Sequence, residues 1–126
     1  MKHILEKLNK IAGIRGSMVM TQDGIMVAEA LGPDLEDDVV AALASALLVG
    51  INKSLTVTET DEKVEELILT ASDGKMVFIN LENAYLVVMA KHNMEIATTM
   101  VEIKSAAHKI NNRRPTDVKY QIEHAG

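Results

Sequence analysis

The sequence predicts an α+β fold, one domain in the order α-β-β-α-β-β-β-α. A five-stranded antiparallel sheet carries one helix on one face and two on the other. Three observations lead there. Asp23-Gly24 and Asp73-Gly74 each stand between apolar, β-branched runs, the pattern of a hairpin. The run AYLVVMA at 84–90 is apolar throughout, so a strand there needs cover on both sides. Between the hairpins, Asp34 to Leu55 is too long for a strand and repeats its bulky side chains at helical spacing.

In chain order, residues 2–12 set Ile4, Leu5, Leu8, Ile11 and Ala12 on one side of a short amphipathic helix. Gly13 fits the left-handed residue after its end. A strand over Ser17–Thr21, a type I′ turn at Asp23-Gly24 and a return strand over Ile25–Ala30 make the first hairpin. Pro33 and Asp34 open the central helix, with Asp34 as N-cap and Glu36, Asp37 and Asp38 set against the positive end of its dipole. Val39, Val40, Leu43, Leu47, Leu48, Ile51 and Leu55 form its bulky arc, expected on the sheet. Ala41, Ala42, Ser45, Ala46, Val49 and Asn52 form a small-residue arc, expected against a second chain.

A polar connection over 56–62 leads to the second hairpin, Val64–Ser72 and Lys75–Leu81. A two-residue Asp73-Gly74 loop would set Leu69 opposite Phe78, Ala71 opposite Met76, Ile68 opposite Ile79 and Thr70 opposite Val77. After the 84–90 strand, Asn93 caps a helix over 94–111 that aligns Ile96, Met100, Ile103, Ala107 and Ile110. Arg113, Arg114 and Pro115 are expected to end it. The domain then covers 1–111 and leaves 112–126 as a C-terminal tail, either disordered or docked elsewhere.

A chain of 126 residues buries roughly two-thirds of its unfolded surface as one domain. The formal charge of −5 disfavours a general nucleic-acid or acidic-membrane surface. Absence of cysteine excludes disulfides, thiolate metal sites and cysteine nucleophiles. The N-terminus alternates charged and apolar residues unlike a signal peptide, and no apolar run reaches the roughly 18 residues of a spanning helix. A cytoplasmic protein without direct membrane insertion is expected. With aromatics at 2% and eight methionines, core volume falls to aliphatic and thioether side chains, and base stacking lacks a platform.

Catalytic motifs are missing. Neither GxxxxGK[ST] nor GxGxxG occurs, so no nucleotide cofactor is expected. His3, His92, His108 and His124 are scattered outside any HExxH pair, and no metal site is assigned. Asp23 and Asp73 have turn geometry as sufficient reason for being there. Ser17, Ser45, Ser54 and Ser72 lack an elbow motif or an identifiable base. Met18, Met20 and Met26 read as core, and Arg113-Arg114 as a basic helix end.

Gly13-Ile14-Arg15-Gly16-Ser17 before a strand, the hairpin MTQDGIMVA, the helix VVAALASALLVGINKSL, the hairpin LILTASDGKMVFIN and AYLVVMA before a final helix occur in this order over about residues 2–111. In this the chain resembles the roadblock / dynein light chain domain family, whose bacterial and archaeal members include regulators of Ras-like small GTPases. The resemblance implies a profilin-like sandwich and homodimers in which central helices pair and third strands extend one sheet across both subunits. It also implies a platform for a small GTPase. With the small arc and the apolar third strand, it places a dimer contact at Ala42, Ser45, Ala46, Val49, Glu66 and Ile68. A partner contact follows at Ser45, Val49, Asn52, Lys53, Asp37 and Asp38. The central helix has no arginine to act as a catalytic finger. The leading expectation is a non-enzymatic homodimeric regulator or adaptor; the alternatives are a structural scaffold subunit and a small-ligand sensor with a methionine-lined pocket.

Overall fold

A computed structural model describes the main chain of residues 1–32, 35, 37–57 and 65–125, and within these the side chains of all but 37–39, 41, 55–57 and 113–125. The elements are α1 (Lys2–Leu8), β1 (Ile14–Thr21), β2 (Met26–Leu31), α2 (Asp37–Val57), β3 (Glu66–Ala71), β4 (Gly74–Asn80), β5 (Ala84–Ala90) and α3 (Ile96–Ala125). This is the expected order. The strands form one sheet, β2-β1-β5-β4-β3, and every neighbouring pair is antiparallel. β5 lies in the middle and is buried at all seven positions, as its unbroken apolar run requires. β2 and β3 are the edges.

Alternation of side chains divides the core into two layers. On one face Val19, Val77, Ile79, Leu86 and Val88 pack with Leu5 and Leu8 of α1 and with Ile103 and Ile110 of α3. On the other, Met18, Met20, Phe78, Tyr85 and Val87 pack under Val40, Ala44 and Leu48 of α2. The α/β/α sandwich is therefore as the sequence indicates. Met18 and Met20 are fully buried, with Met26 and Met76 packed beside them, so flexible thioethers fill the α2 layer around its two rings, Phe78 and Tyr85.

Several local expectations change. α1 ends at Leu8, four residues before Ala12, because Asn9 is drawn to the sheet. Its Nδ2 donates to Ala30 O at 2.5 Å, and Ser17 Oγ donates to its Oδ1 at 2.8 Å. A tighter turn follows, in which Lys10 N and Ile11 N donate to Lys7 O and Leu8 O. Gly13 does have positive φ, 94°, but it closes this turn instead of capping the helix.

In the first hairpin Thr21 O accepts from Gly24 N at 2.9 Å, and Thr21 N donates to Ile25 O at 2.8 Å. The loop is thus the three residues Gln22-Asp23-Gly24, with Gly24 at a positive φ of 88°, in place of a two-residue type I′ turn. A register shift between Val19 and Met20 absorbs the extra residue.

The second hairpin turns through Ser72-Asp73, one position earlier than expected. Ala71 faces Gly74, Leu69 faces Met76, Ile68 faces Val77 and Leu67 faces Phe78. Each expected pair is displaced by two residues, which leaves every side chain on its predicted face. Gly74 is needed for closeness instead of turn conformation, since a Cβ there would lie 2.8 Å from Ala90 O.

α3 starts at Ile96, with Thr99 N bonded to Glu95 O, two residues later than the expected 94. It does not stop at Arg113–Pro115 but continues to Ala125. Proline removes one intrahelical donor and costs about 3 kcal/mol in a helix interior, and strong helix formers such as Lys119, Gln121 and Glu123 follow it. Pro33, Asp34 and Glu36 at the expected start of the central helix, and residues 58–64 of the connection and third strand, lie outside the described residues.

Candidate functional site

The direction α2 faces is decided by its smallest buried residue. Val40, Ala44 and Leu48, four residues apart, touch the sheet, with Ala44 at 0% exposure in the middle of the row. Leu47 packs against the same cluster, half-buried. Leu43 is rotated away and is 53% exposed, a departure from its expected place on the sheet. The bulky arc is thus broader than the contact it makes.

Among the described side chains, Ala42, Leu43, Ala46, Val49, Gly50 and Lys53 form an outward strip, all exposed, with exposed Ser54 one turn beyond Gly50. Their spacing of one, three, three, one and three residues keeps them on one side of the helix. Its polar side chains are Lys53 and Ser54, and the Ser54 hydroxyl donates back to Gly50 O at 2.9 Å. A Cβ at Gly50 would meet nothing within 4 Å, so the space beside its Cα is open. A second helix laid along this strip would bury Leu43 and Val49 and meet little bulk at Ala46 and Gly50.

Beside it, the same apolar layer includes Leu67 and Leu69 of β3, and no strand lies beyond β3 among the described residues. Ile68, 37% exposed, and Glu66 point to the opposite, α3-bearing face of the sheet. There Lys104 Nζ lies 3.1 Å from Glu66 Oε1, tying the edge strand to α3. Both side chains are well exposed, so this ion pair is worth little, about 0–1 kcal/mol.

The residues named from sequence therefore fall in distinct places. Ala42, Ala46, Val49 and Lys53 share the exposed strip. Ser45 is half-buried at the tip of the first hairpin, where a Cβ on Gly24 would lie 2.0 Å from its Oγ. Asn52 is half-buried on the same flank of α2 as Ser45. Glu66 and Ile68 lie on β3, and Asp37 and Asp38 form the first turn of α2, their side chains outside the described residues. Leu43 and Gly50 are the additions from structure. Periodicity hides Leu43 because it is as apolar as the core positions; the row Val40-Ala44-Leu48 is the signal that would have found it.

Among the described residues no three His, Asp or Glu come together as a metal site, and no helix is long and apolar enough to cross a membrane. The chemistry available at the strip is burial and shape, together with an open strand edge.

The model of the Roadblock/LC7 domain matches residues 2–90, from α1 through β5. The chain belongs to the Roadblock/LC7 domain family. An uncharacterized protein of Methanocaldococcus jannaschii is 28% identical over 107 residues, which are 85% of this chain and 93% of that one. Among solved structures, Myxococcus xanthus MglB superposes with a TM-score of 0.77 over 91% of this chain and 94% of its own, at 13% identity. Acanthamoeba castellanii profilin IB superposes with a TM-score of 0.64 over 89% and 97%, at 10% identity. At such identities the structural likenesses establish the fold, a profilin-like sandwich, and α3 beyond residue 90 shares it although the family model stops there.

Proposed function

We propose that this Roadblock/LC7 protein is a homodimeric, non-enzymatic regulator or adaptor of a Ras-like small GTPase, working in the cytoplasm. The observation that carries this reading is the uncovered apolar strip of α2 beside the open edge of β3. Leu43 and Val49 each leave about half of a large apolar side chain wet, and burying such a residue fully is worth roughly 1.5–3 kcal/mol. A two-fold pairing of α2 helices hides both strips at once, and pairing of β3 strands removes an edge prone to aggregation. Ala42, Ala46 and Val49 form the helix contact, and Ile68 and Glu66 flank the strand contact.

Within that reading the GTPase carries the nucleotide. The dimer offers it a surface near the symmetry axis built from Ser45, Val49, Asn52, Lys53 and the acidic helix start at Asp37 and Asp38. Family membership supports the partner class. With no arginine on α2, the protein acts by positioning the partner's own switch segments and supplies no catalytic group there.

Light scattering at micromolar concentration tests the dimer, and Ala46→Arg tests the helix contact. Wild type runs as a dimer and the variant as a folded monomer or a dimer weakened at least tenfold. A monomeric wild type, or a variant dimer of unchanged affinity, removes the proposed pairing. Calorimetric titration of the purified protein with GTP and with ATP is expected to be flat.

A further inference from the structure

The sheet face opposite α2 carries a feature that dimerisation through α2 and β3 does not use. α1 and α3 lie side by side on it, and between them runs a groove of about 600 Å³. Its floor is apolar: Ile4, Leu8 and Ala106 are buried, and Ile11 is half-buried. The rim is charged and exposed. Lys7 from α1 and Lys109 from α3 stand against the single carboxylate of Glu102. In a chain of net charge −5, two ammonium groups to one carboxylate are a local excess of positive charge.

The shape selects among occupants. Small-molecule pockets bury about 70–90% of a drug-sized ligand, whereas every polar residue lining this groove is exposed, so a compact ligand would stay largely wet. Proline-rich segments dock on aromatic-lined grooves, and no aromatic residue lines this one. An amphipathic helix lays a row of apolar side chains at i, i+3 or i+4, and i+7 into such a groove. That row spans about 10 Å, the length of the seven-residue α1 that forms one wall. Charge completes the fit, because carboxylates flanking the apolar row would meet Lys7 on one wall and Lys109 on the other.

We propose that α1 and α3 form a docking groove for an acidic amphipathic helix of a partner protein. The groove works independently of the α2 strip, since the sheet separates them, and a homodimer presents two copies.

The test uses the full chain and a designed probe, a fluorescent helical peptide of about two heptads. Leucines occupy one face at i, i+3, i+4 and i+7, and glutamates flank them; a second peptide carries lysine at every glutamate position. Anisotropy is expected to show the acidic peptide binding with a Kd of about 10–100 μM and the basic one at least tenfold weaker. Amide resonances of α1 and α3 should shift on binding, while those of α2 stay in place. Lys7→Glu with Lys109→Glu should reverse the preference. Ser105→Trp, at an exposed wall position, should block both peptides while leaving the circular dichroism spectrum unchanged. Ala46→Arg should keep full peptide binding, which separates this proposal from the dimer reading.

No binding at about 1 mM, equal binding of the two peptides, or shifts confined to α2 and β3 would overturn the proposal. Concentration-dependent shifts of α1 and α3 in the absence of peptide would assign the groove to a second copy of the chain and overturn it as well.

Discussion

Ser17 and Gly24 show how single residues fix the frame that aims α2. Ser17 is fully buried, and its Oγ donates to Asn9 Oδ1 at 2.8 Å while lying 3.3 Å from Leu5 O. Asn9 in turn reaches Ala30 O, so one hydroxyl joins the end of α1 to β1 and β2. Ser17→Ala leaves the Asn9 carbonyl oxygen short of a donor, and we predict a loss of about 1–2 kcal/mol, seen as a lower urea midpoint at unchanged slope. No change in midpoint would mean that water replaces the hydroxyl. Gly24 carries two separable constraints, a φ of 88° and a near contact with Ser45. Gly24→Ala should therefore cost more in the wild-type background than in Ser45→Gly, where only the backbone cost of about 1–2 kcal/mol remains. Equal costs in the two backgrounds would show that Ser45 gives way freely and that the hairpin tip does not bear on α2.

At the scale of elements, α2 is where sequence and structure differ with most consequence. Leu43 looks like core in the sequence because apolar character alone cannot say which of two neighbouring arcs meets the sheet. The structure settles this with the buried row Val40, Ala44 and Leu48, which leaves Leu43 outward. Leu43→Glu discriminates the two orientations. A leucine packed on the sheet would cost about 2–5 kcal/mol on losing its apolar side chain, but at 53% exposure the predicted change in monomer stability is below about 0.5 kcal/mol. Dimerisation should weaken sharply in the same sample. Unfolding of the variant would return Leu43 to the core. The hairpins were legible in kind because Asp-Gly between apolar runs has few other uses; their loops were not. Both turns differ by a residue, the first lengthened to three residues beside a bulge and the second moved one position earlier, with Gly74 close against Ala90 O. The two-residue period explains why the faces survived the change of register. The extent of α3 was missed for a different reason, since proline marks a weak point in a helix without forbidding one.

On the scale of the whole molecule, layer assignment was readable from the sequence: strands apolar on both faces demanded helices on both, and three helices divide as two and one. The candidate surface was readable only in part. Ala42, Ala46 and Val49 were recognisable as small or apolar residues without a charged neighbour, whereas the groove between α1 and α3 depends on two helices about 100 residues apart in the chain. If α2 helices pair about a two-fold axis, the surface near that axis is shared, and this limits how many GTPases a dimer can hold. One groove spanning the axis admits one GTPase per dimer, because a second would need the same residues; two separate faces would admit two. We predict one per dimer by native mass spectrometry. Val49→Glu adds a charge near the axis without touching the buried row of Val40, Ala44 and Leu48, and it should reduce GTPase binding at least tenfold. Dimer affinity must be measured in the same samples, since Val49 belongs to the helix contact too. If charge pairing contributes, the association rate should also fall as salt rises from low to physiological strength. Undiminished GTPase binding by a dimeric Val49→Glu protein, or two GTPases per dimer, would move the docking surface off the axis and onto the outer flanks of the sheet.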